Sequence, residues 1–101
     1  MVKAPHYKCP QSAQLFELLG KKRVIFIIKS IEGGADTYTS IRQAIGSANT
    51  TIVSQRLDEL GECGIVERKI ISEKPIQIRY SLTKKGKEIA KVIEKLSDCA
   101  H

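Results

Sequence analysis

Between Tyr38 and Gly86 the hydrophobic period of the chain changes twice, and few architectures accommodate such a pattern. From Ser40 to Gly46, and again from about Thr50 to Cys63, apolar residues recur at helical spacing. In the second stretch Val53, Leu57 and Leu60 repeat at i, i+4 and i+7, the stripe of a helix with one buried face. From Ile65 to Leu82 the period falls to two. Ile76, Ile78, Tyr80 and Leu82 point one way and Gln77, Arg79 and Ser81 the other, with Ser72-Glu73-Lys74-Pro75 as the tip of a hairpin. A helical period returns at Thr83. Thr39 is placed to cap the first helix and Asn49 the second; Gly46 ends the first, while Gly61 and Gly64 bracket the exit of the second.

The flanks read as helices too. Gln11–Leu19 carries Leu15, Phe16, Leu18 and Leu19 at helical spacing, with Pro10 ahead of it and Ser12 available as a cap. Val24 to Ile31 is almost uniformly apolar and rich in β-branched residues, a composition that suits a buried strand. Two features favour a helix: Lys21-Lys22-Arg23 extends the segment past strand length, and Gly33-Gly34 supplies a stop. Asp36–Thr39 then forms a polar turn. At the C-terminal end Ile89, Val92, Ile93, Leu96 and Ala100 line one helical face, more apolar surface than a small monomer has core to cover. The expected fold is therefore mainly α with a β-hairpin wing, a winged helix-turn-helix of the α+β class. Residues 1–101 form one domain and pair as a two-fold dimer through the N- and C-terminal helices.

Size and charge narrow the function. A chain of 101 residues with 42% apolar composition builds one modest core and leaves no room for separate catalytic and regulatory domains. A formal charge of +6 points to a polyanion as partner, and Lys84, Lys85 and Lys87 cluster beside the hairpin. No run approaches the roughly 18 apolar residues that span a bilayer, and Met1–Lys8 lacks the apolar stretch of a secretory signal, so a cytoplasmic protein without membrane contact is expected. Cys9, Cys63 and Cys99 form no metal-binding pair, and His6 and His101 lie in the chain ends; no metal or other cofactor is expected. There is no glycine-rich phosphate loop and no Ser/His/Asp arrangement, which argues against an enzyme.

Four stretches carry a family likeness: Cys9-Pro10, the run from Leu57 to Val66, the run from Pro75 to Thr83, and Lys84-Lys85-Gly86. On these the chain resembles the HxlR-type, MarR-like winged-helix transcriptional regulators of bacteria and archaea, in the same order over residues 7–97. Tyr80-Ser81-Leu82-Thr83 with Gly86 is the sharpest element, and the Cys-Pro placement tips the choice toward HxlR. The chain also departs from the pattern. A customary Gly-Gly-Lys-Trp run is here Gly20-Lys21-Lys22-Arg23, and Ser40 and Arg79 stand where acidic residues are common.

The resemblance and the residues together mark an interface for double-stranded DNA with a pseudo-palindromic operator. Asn49, Thr50, Thr51, Ser54 and Gln55 lie on the polar face of the recognition helix. Gln can pair with adenine, while Ser and Thr reach bases or phosphates. Arg56 lies toward the packing side as a phosphate or structural contact; Thr39 and Arg42 belong to the preceding helix. Lys69, Lys74, Gln77 and Arg79 on the wing add phosphate contacts. The competing reading of all of them is an ordinary solvated surface. The resemblance further implies that Cys9 senses oxidants, electrophiles or another small effector. Lys8 and His6 would favour its thiolate, and Cys99 is a candidate for a bridge between subunits. Against this stands a small buried thiol at the dimer contact. Cys63 reads as structural. Two alternatives remain: a non-specific, chromatin-like DNA-binding protein, and a winged-helix protein-interaction module.

Overall fold

The structure, a computed structural model, describes residues 10–46 and 49–100. Its elements run α1 (Pro10–Leu19), α2 (Val24–Glu32), α3 (Tyr38–Ile45), α4 (Thr50–Glu62), β1 (Val66–Glu73), β2 (Ile76–Leu82) and α5 (Lys84–Asp98). The two strands form an antiparallel hairpin. This is the winged helix-turn-helix expected from the alternating periods.

The apolar segment that composition left between strand and helix is the central helix of the core. Val24, Ile27, Ile28 and Ile31 are buried at helical spacing, whereas Phe26 stands 63% exposed; alternate burial would have meant a strand. Helix α2 packs against α1, α3, α5 and β2. Leu18 of α1, Ile41 of α3, Val53, Leu57 and Leu60 of α4, Ile65 and Val66 at the hairpin base, and Ala90 and Ile93 of α5 complete the cluster. The basic residues ahead of α2 do not extend it. They form a turn in which the Lys21 N–H donates to the Leu18 carbonyl (3.0 Å), and Arg23 adopts φ 76°. That left-handed backbone is disfavoured for a residue with a Cβ, so the helix cannot begin before Val24.

Other boundaries move for local reasons. Helix α3 opens at Tyr38, because Thr37 rather than Thr39 is its cap. The Thr37 hydroxyl accepts from the Ser40 N–H, and the Ser40 hydroxyl accepts from the Thr37 N–H (3.0 Å), a reciprocal capping box. Gly46 closes α3 in the left-handed conformation at φ 67°. Asn49 caps α4 as expected, its side-chain oxygen accepting from the Ile52 N–H at 3.1 Å. The first strand of the wing runs further than expected, to Glu73, while the second begins at Ile76 as expected, so Lys74-Pro75 alone forms the tip. A bulge between Ile70 and Ser72 leaves Ile71 without a cross-strand partner.

The apolar stripe of α5 divides. Ala90 and Ile93 are buried and Ile89 is half-buried, but Val92 and Leu96 remain 58% and 59% exposed. Ala100 is exposed and lies beyond the helix.

The wing is tied to both neighbouring helices at Thr83. Its N–H donates to the Ile65 carbonyl (3.0 Å), and its hydroxyl donates to the Gly64 carbonyl while accepting from the Gly86 N–H (3.0 Å). Gly86 is buried because α5 lies directly on Ile65: a Cβ at position 86 would overlap the Ile65 carbonyl oxygen. Replacing Thr83 with Ala should cost about 1–2 kcal/mol, the usual loss of a helix cap. Gly86→Ala should cost at least about 3 kcal/mol, the upper range for overpacking, because the obstacle is backbone. Urea denaturation would check both, and a Gly86→Ala variant as stable as the parent would show that α5 does not seat on Ile65.

Candidate nucleic-acid interface

Helix α4 separates its two faces cleanly. Val53, Leu57 and Leu60 are at most 3% exposed and anchor one side in the core. Thr50, Thr51, Ser54 and Gln55 are exposed on the other, at the N-terminal half of the helix. Asn49 is exposed at the lip and engaged as the cap. The start of α4 is held from α3: the Tyr38 hydroxyl donates to the Thr50 carbonyl at 2.8 Å. Sequence reasoning missed Tyr38 as a positioning residue, since nothing local links it to a helix twelve residues on.

The C-terminal half of α4 is bound into the protein. Arg56 is half-buried, its guanidinium 2.7 Å from the Glu59 carboxylate and its Nε donating to the Lys22 carbonyl at 3.4 Å. Glu59 also accepts from Lys21. Of the two roles open to Arg56, the geometry supplies the structural one. The Lys21 hydrogen bond, opposed by desolvation and reinforced by Arg56, holds the Glu59 carboxyl below its ordinary value of 4.5.

On α3, Thr39 is exposed in the first turn and Gln43, which sequence reasoning passed over, is exposed one turn later. Arg42 is half-buried, and its Nε is buried without a hydrogen-bond partner. Position in the fold thus separates two of the expected DNA-facing residues: Thr39 is open, whereas Arg42 is partly withdrawn.

On the wing, Lys69, Lys74, Gln77 and Arg79 are all exposed. Lys69 and Arg79 are directly opposed across the hairpin, so two like charges share one face. Such pairs oppose folding, and an anion between them would relieve the repulsion. Arg79 is partly balanced by Asp36, 3.7 Å from its Nε, and the Asp36 carbonyl accepts from the Tyr80 N–H at 2.8 Å. Asp36 therefore fixes the edge of the wing by backbone and side chain alike. Burial raises the Tyr80 hydroxyl pKa above its ordinary value, so it stays protonated where β2 meets the body. Of the lysines beside the hairpin, Lys85 is engaged with the Cys63 carbonyl at 2.8 Å, while Lys84 and Lys87 are exposed.

Of the thiols, Cys63 is half-buried at the end of α4 and Cys99 is exposed at the end of α5; Cys9 lies outside the described residues. No described helix is long and apolar enough to cross a membrane.

A helix-turn-helix with its second helix exposed, followed by a basic hairpin, defines the winged-helix class of transcriptional regulators. The HxlR-like helix-turn-helix family profile matches residues 18–101, and the chain belongs to that family. It is 34% identical over 92 residues to the HTH-type transcriptional regulator YvaP of Bacillus subtilis, covering 91% of this chain and 85% of YvaP. Over 88 residues it is 32% identical to YodB of the same organism, covering 87% and 79%. Solved structures of YodB superpose closely. The diamide-treated form has a TM-score of 0.78 at 32% identity and 94% coverage of both chains. The reduced form has 0.78 at 31% identity, covering 93% of this chain and 92% of that one. The chain is a transcriptional regulator of the HxlR type.

The ion pairs on Glu59 have a testable signature. Its pKa is lower in the folded than in the unfolded chain, so its stabilisation is complete above the unfolded value and disappears as pH falls through the folded one. Glu59→Gln should be less stable than the parent at neutral pH, and the gap should close as pH drops below 4.5. Chemical denaturation across that range reads the gap directly; a constant difference would mean that charge pairing is not what Glu59 contributes.

Proposed function

We propose that this regulator is a homodimer that binds double-stranded DNA sequence-specifically, each subunit setting α4 into a major groove. The half-sites would lie about one helical turn apart on a pseudo-palindrome. The observation that carries the reading is the open polar edge of Thr50, Thr51, Ser54 and Gln55 on a helix whose opposite side is locked in the core. Gln55 is the residue best suited to read a base, and Thr39, Asn49, Thr50, Thr51 and Ser54 surround it with shorter polar groups. Lys69, Lys74, Gln77 and Arg79 would hold phosphates or the neighbouring minor groove, with Arg42 on α3 as a further phosphate contact and Arg56 stiffening the frame behind them. Exposed Val92 and Leu96 support pairing of two chains through α5 and the N-terminal helix.

The same dimer would respond to oxidants or electrophiles through Cys9, with Cys99 as the partner thiol. Support comes from the exposure of Cys99 and from the relative YodB, whose structures include diamide-treated, reduced and quinone-bound forms. Such a regulator works in the reducing cytoplasm, where a disulfide is a signal rather than a staple.

Selection of duplexes from a random pool, with and without reductant, tests the reading. A specific regulator yields one dyad-symmetric sequence whose affinity falls as salt rises. A non-specific, chromatin-like protein yields none, and a protein-interaction module binds no duplex. On a selected duplex, Gln55→Ala should narrow the gap between specific and random DNA. Replacing Lys69 or Arg79 with Ala should weaken all duplexes alike and lower the salt slope by about one for each phosphate no longer neutralised. Cys9→Ser should abolish any response of DNA binding to diamide. Sedimentation of Leu96→Glu should show a monomer where the parent is a dimer; parent and variant both monomeric would remove the dimer from the proposal.

A further inference from the structure

The end of the wing is apolar. Ile70 and Ile76 are 58% and 68% exposed, Ile71 is 46% exposed, and Pro75 is exposed in the turn. The strand register puts Ile70 and Ile76 on the face of the hairpin that Val66 and Leu82 bury at its base, but at the tip no core lies beneath them. The bulge releases Ile71 from cross-strand pairing, and Ile71 lines the same surface hollow as Ile76. The charges of the tip, Glu73 and Lys74, cancel, and the opposed cations Lys69 and Arg79 lie behind it.

Lengths give this arrangement a meaning on DNA. Lys69 precedes Ile71 by two residues, and Arg79 follows Ile76 by three. At about 3.4 Å per residue the cations stand roughly 7–10 Å behind the apolar ridge. The minor groove of B-DNA is about 7.5 Å deep and about 6 Å wide. With Lys69 and Arg79 on the phosphates at the rim, the isoleucines reach the floor, where only base edges and stacked steps are met. Strands about 4.8 Å apart, with side chains added, are too broad for the undistorted groove. Entry therefore requires the groove to widen.

We infer that the wing tip is a wedge: Ile71 and Ile76 enter the minor groove beside each major-groove contact, part a base step and bend the duplex. This deepens the DNA-binding reading and rests on it. The wedge adds selectivity where no base edge is hydrogen-bonded, because flexible pyrimidine–purine steps open more readily than stiff A-tracts.

The test uses the full-length protein and a duplex selected from the random pool, labelled at both ends for energy transfer and carrying 2-aminopurine at successive steps beyond the α4 contact. Wild type should bring the ends closer and brighten 2-aminopurine at one step on each side. The double variant Ile71→Ser, Ile76→Ser, changed only at exposed positions, should melt like the parent, leave the duplex straight and bind about tenfold more weakly, as expected when two part-exposed isoleucines lose their burial. An A-tract at the brightened step should weaken wild type and leave the variant unaffected; this arm needs no protein substitution for its wild-type half. Wild type that binds without bending or brightening overturns the wedge and leaves the DNA-binding reading intact. A variant that changes self-association while bending the duplex normally also overturns it, in favour of a protein contact at the tip. Wild type that binds no duplex overturns both.

Discussion

A single hydroxyl group, that of Thr83, joins the three parts that any DNA contact would need. It donates to the carbonyl of Gly64, where the chain leaves the recognition helix, and accepts from Gly86 at the start of α5, while the Thr83 N–H closes the hairpin onto Ile65. Ile65 is fully buried, so this junction lies over the core rather than at a frayed edge. Polar groups in such a position are costly when unpaired, and each pairing here also fixes a direction. The exit of α4, the base of the wing and the first turn of α5 become one rigid unit. Gly86 belongs to the same constraint: only a residue without a side chain lets α5 approach the Ile65 carbonyl.

Around that unit the charges are sorted rather than scattered. In the C-terminal half of α4, Glu59 is shared between Lys21 and Arg56, while Asp58 and Glu62 are exposed. The cations of the wing are treated in the opposite way. Lys69 and Arg79 face one another, and Arg79 pairs with Asp36 at the longer distance of 3.7 Å. The folded chain thus uses Arg56 of α4 and Lys21 of the α1–α2 turn to neutralise a carboxylate and leaves like charges together on the wing. The second choice lowers the stability of the free protein and is relieved by an anion, so the wing carries a charge arrangement that suits its ligand better than its own fold.

Much of this is legible in the sequence wherever the cause is local. Asn49 caps α4 because its side chain reaches three residues along the chain, and the period of Val53, Leu57 and Leu60 survives into the core unchanged. The strand alternation of Ile78, Tyr80 and Leu82 is likewise seen as partial burial. Failures arise where two local signals compete or where the partner is distant. Thr37 and Thr39 are equally good caps in composition, and only Ser40 at the right offset makes Thr37 the winner through a second hydrogen bond. Arg56 is legible as lying toward the packing side, but its partners, the Lys22 carbonyl and Glu59, are not. Tyr38 holding Thr50, and Lys85 holding the Cys63 carbonyl, join elements whose relative placement no periodicity records. The α5 stripe is plainly apolar in the sequence, but a stripe does not say how much of it the monomer covers. Ala90 and Ile93 are used by the core; Val92 and Leu96 are not.

That division of α5 decides how a signal at one end of the molecule would reach the other. The N-terminal end of the helix is fixed to the wing base through Gly86 and Thr83, and its C-terminal end carries Cys99. Its fifteen residues span about 22 Å at the usual rise, and Lys29 of α2 pairs with Glu94 along the way at 3.7 Å. A subunit contact made through Val92 and Leu96 would grip the middle of the same rod. Strain introduced at Cys99 would then travel along α5 to the Thr83 junction, which carries the wing and the exit of α4 together, while the exposed edge of α4 is held by Asn49 and Tyr38. In the proposed dimer a thiol switch would therefore re-aim the two winged units relative to one another. The proposed base-reading face of each would stay as it is, and the distance between the two copies of it would change.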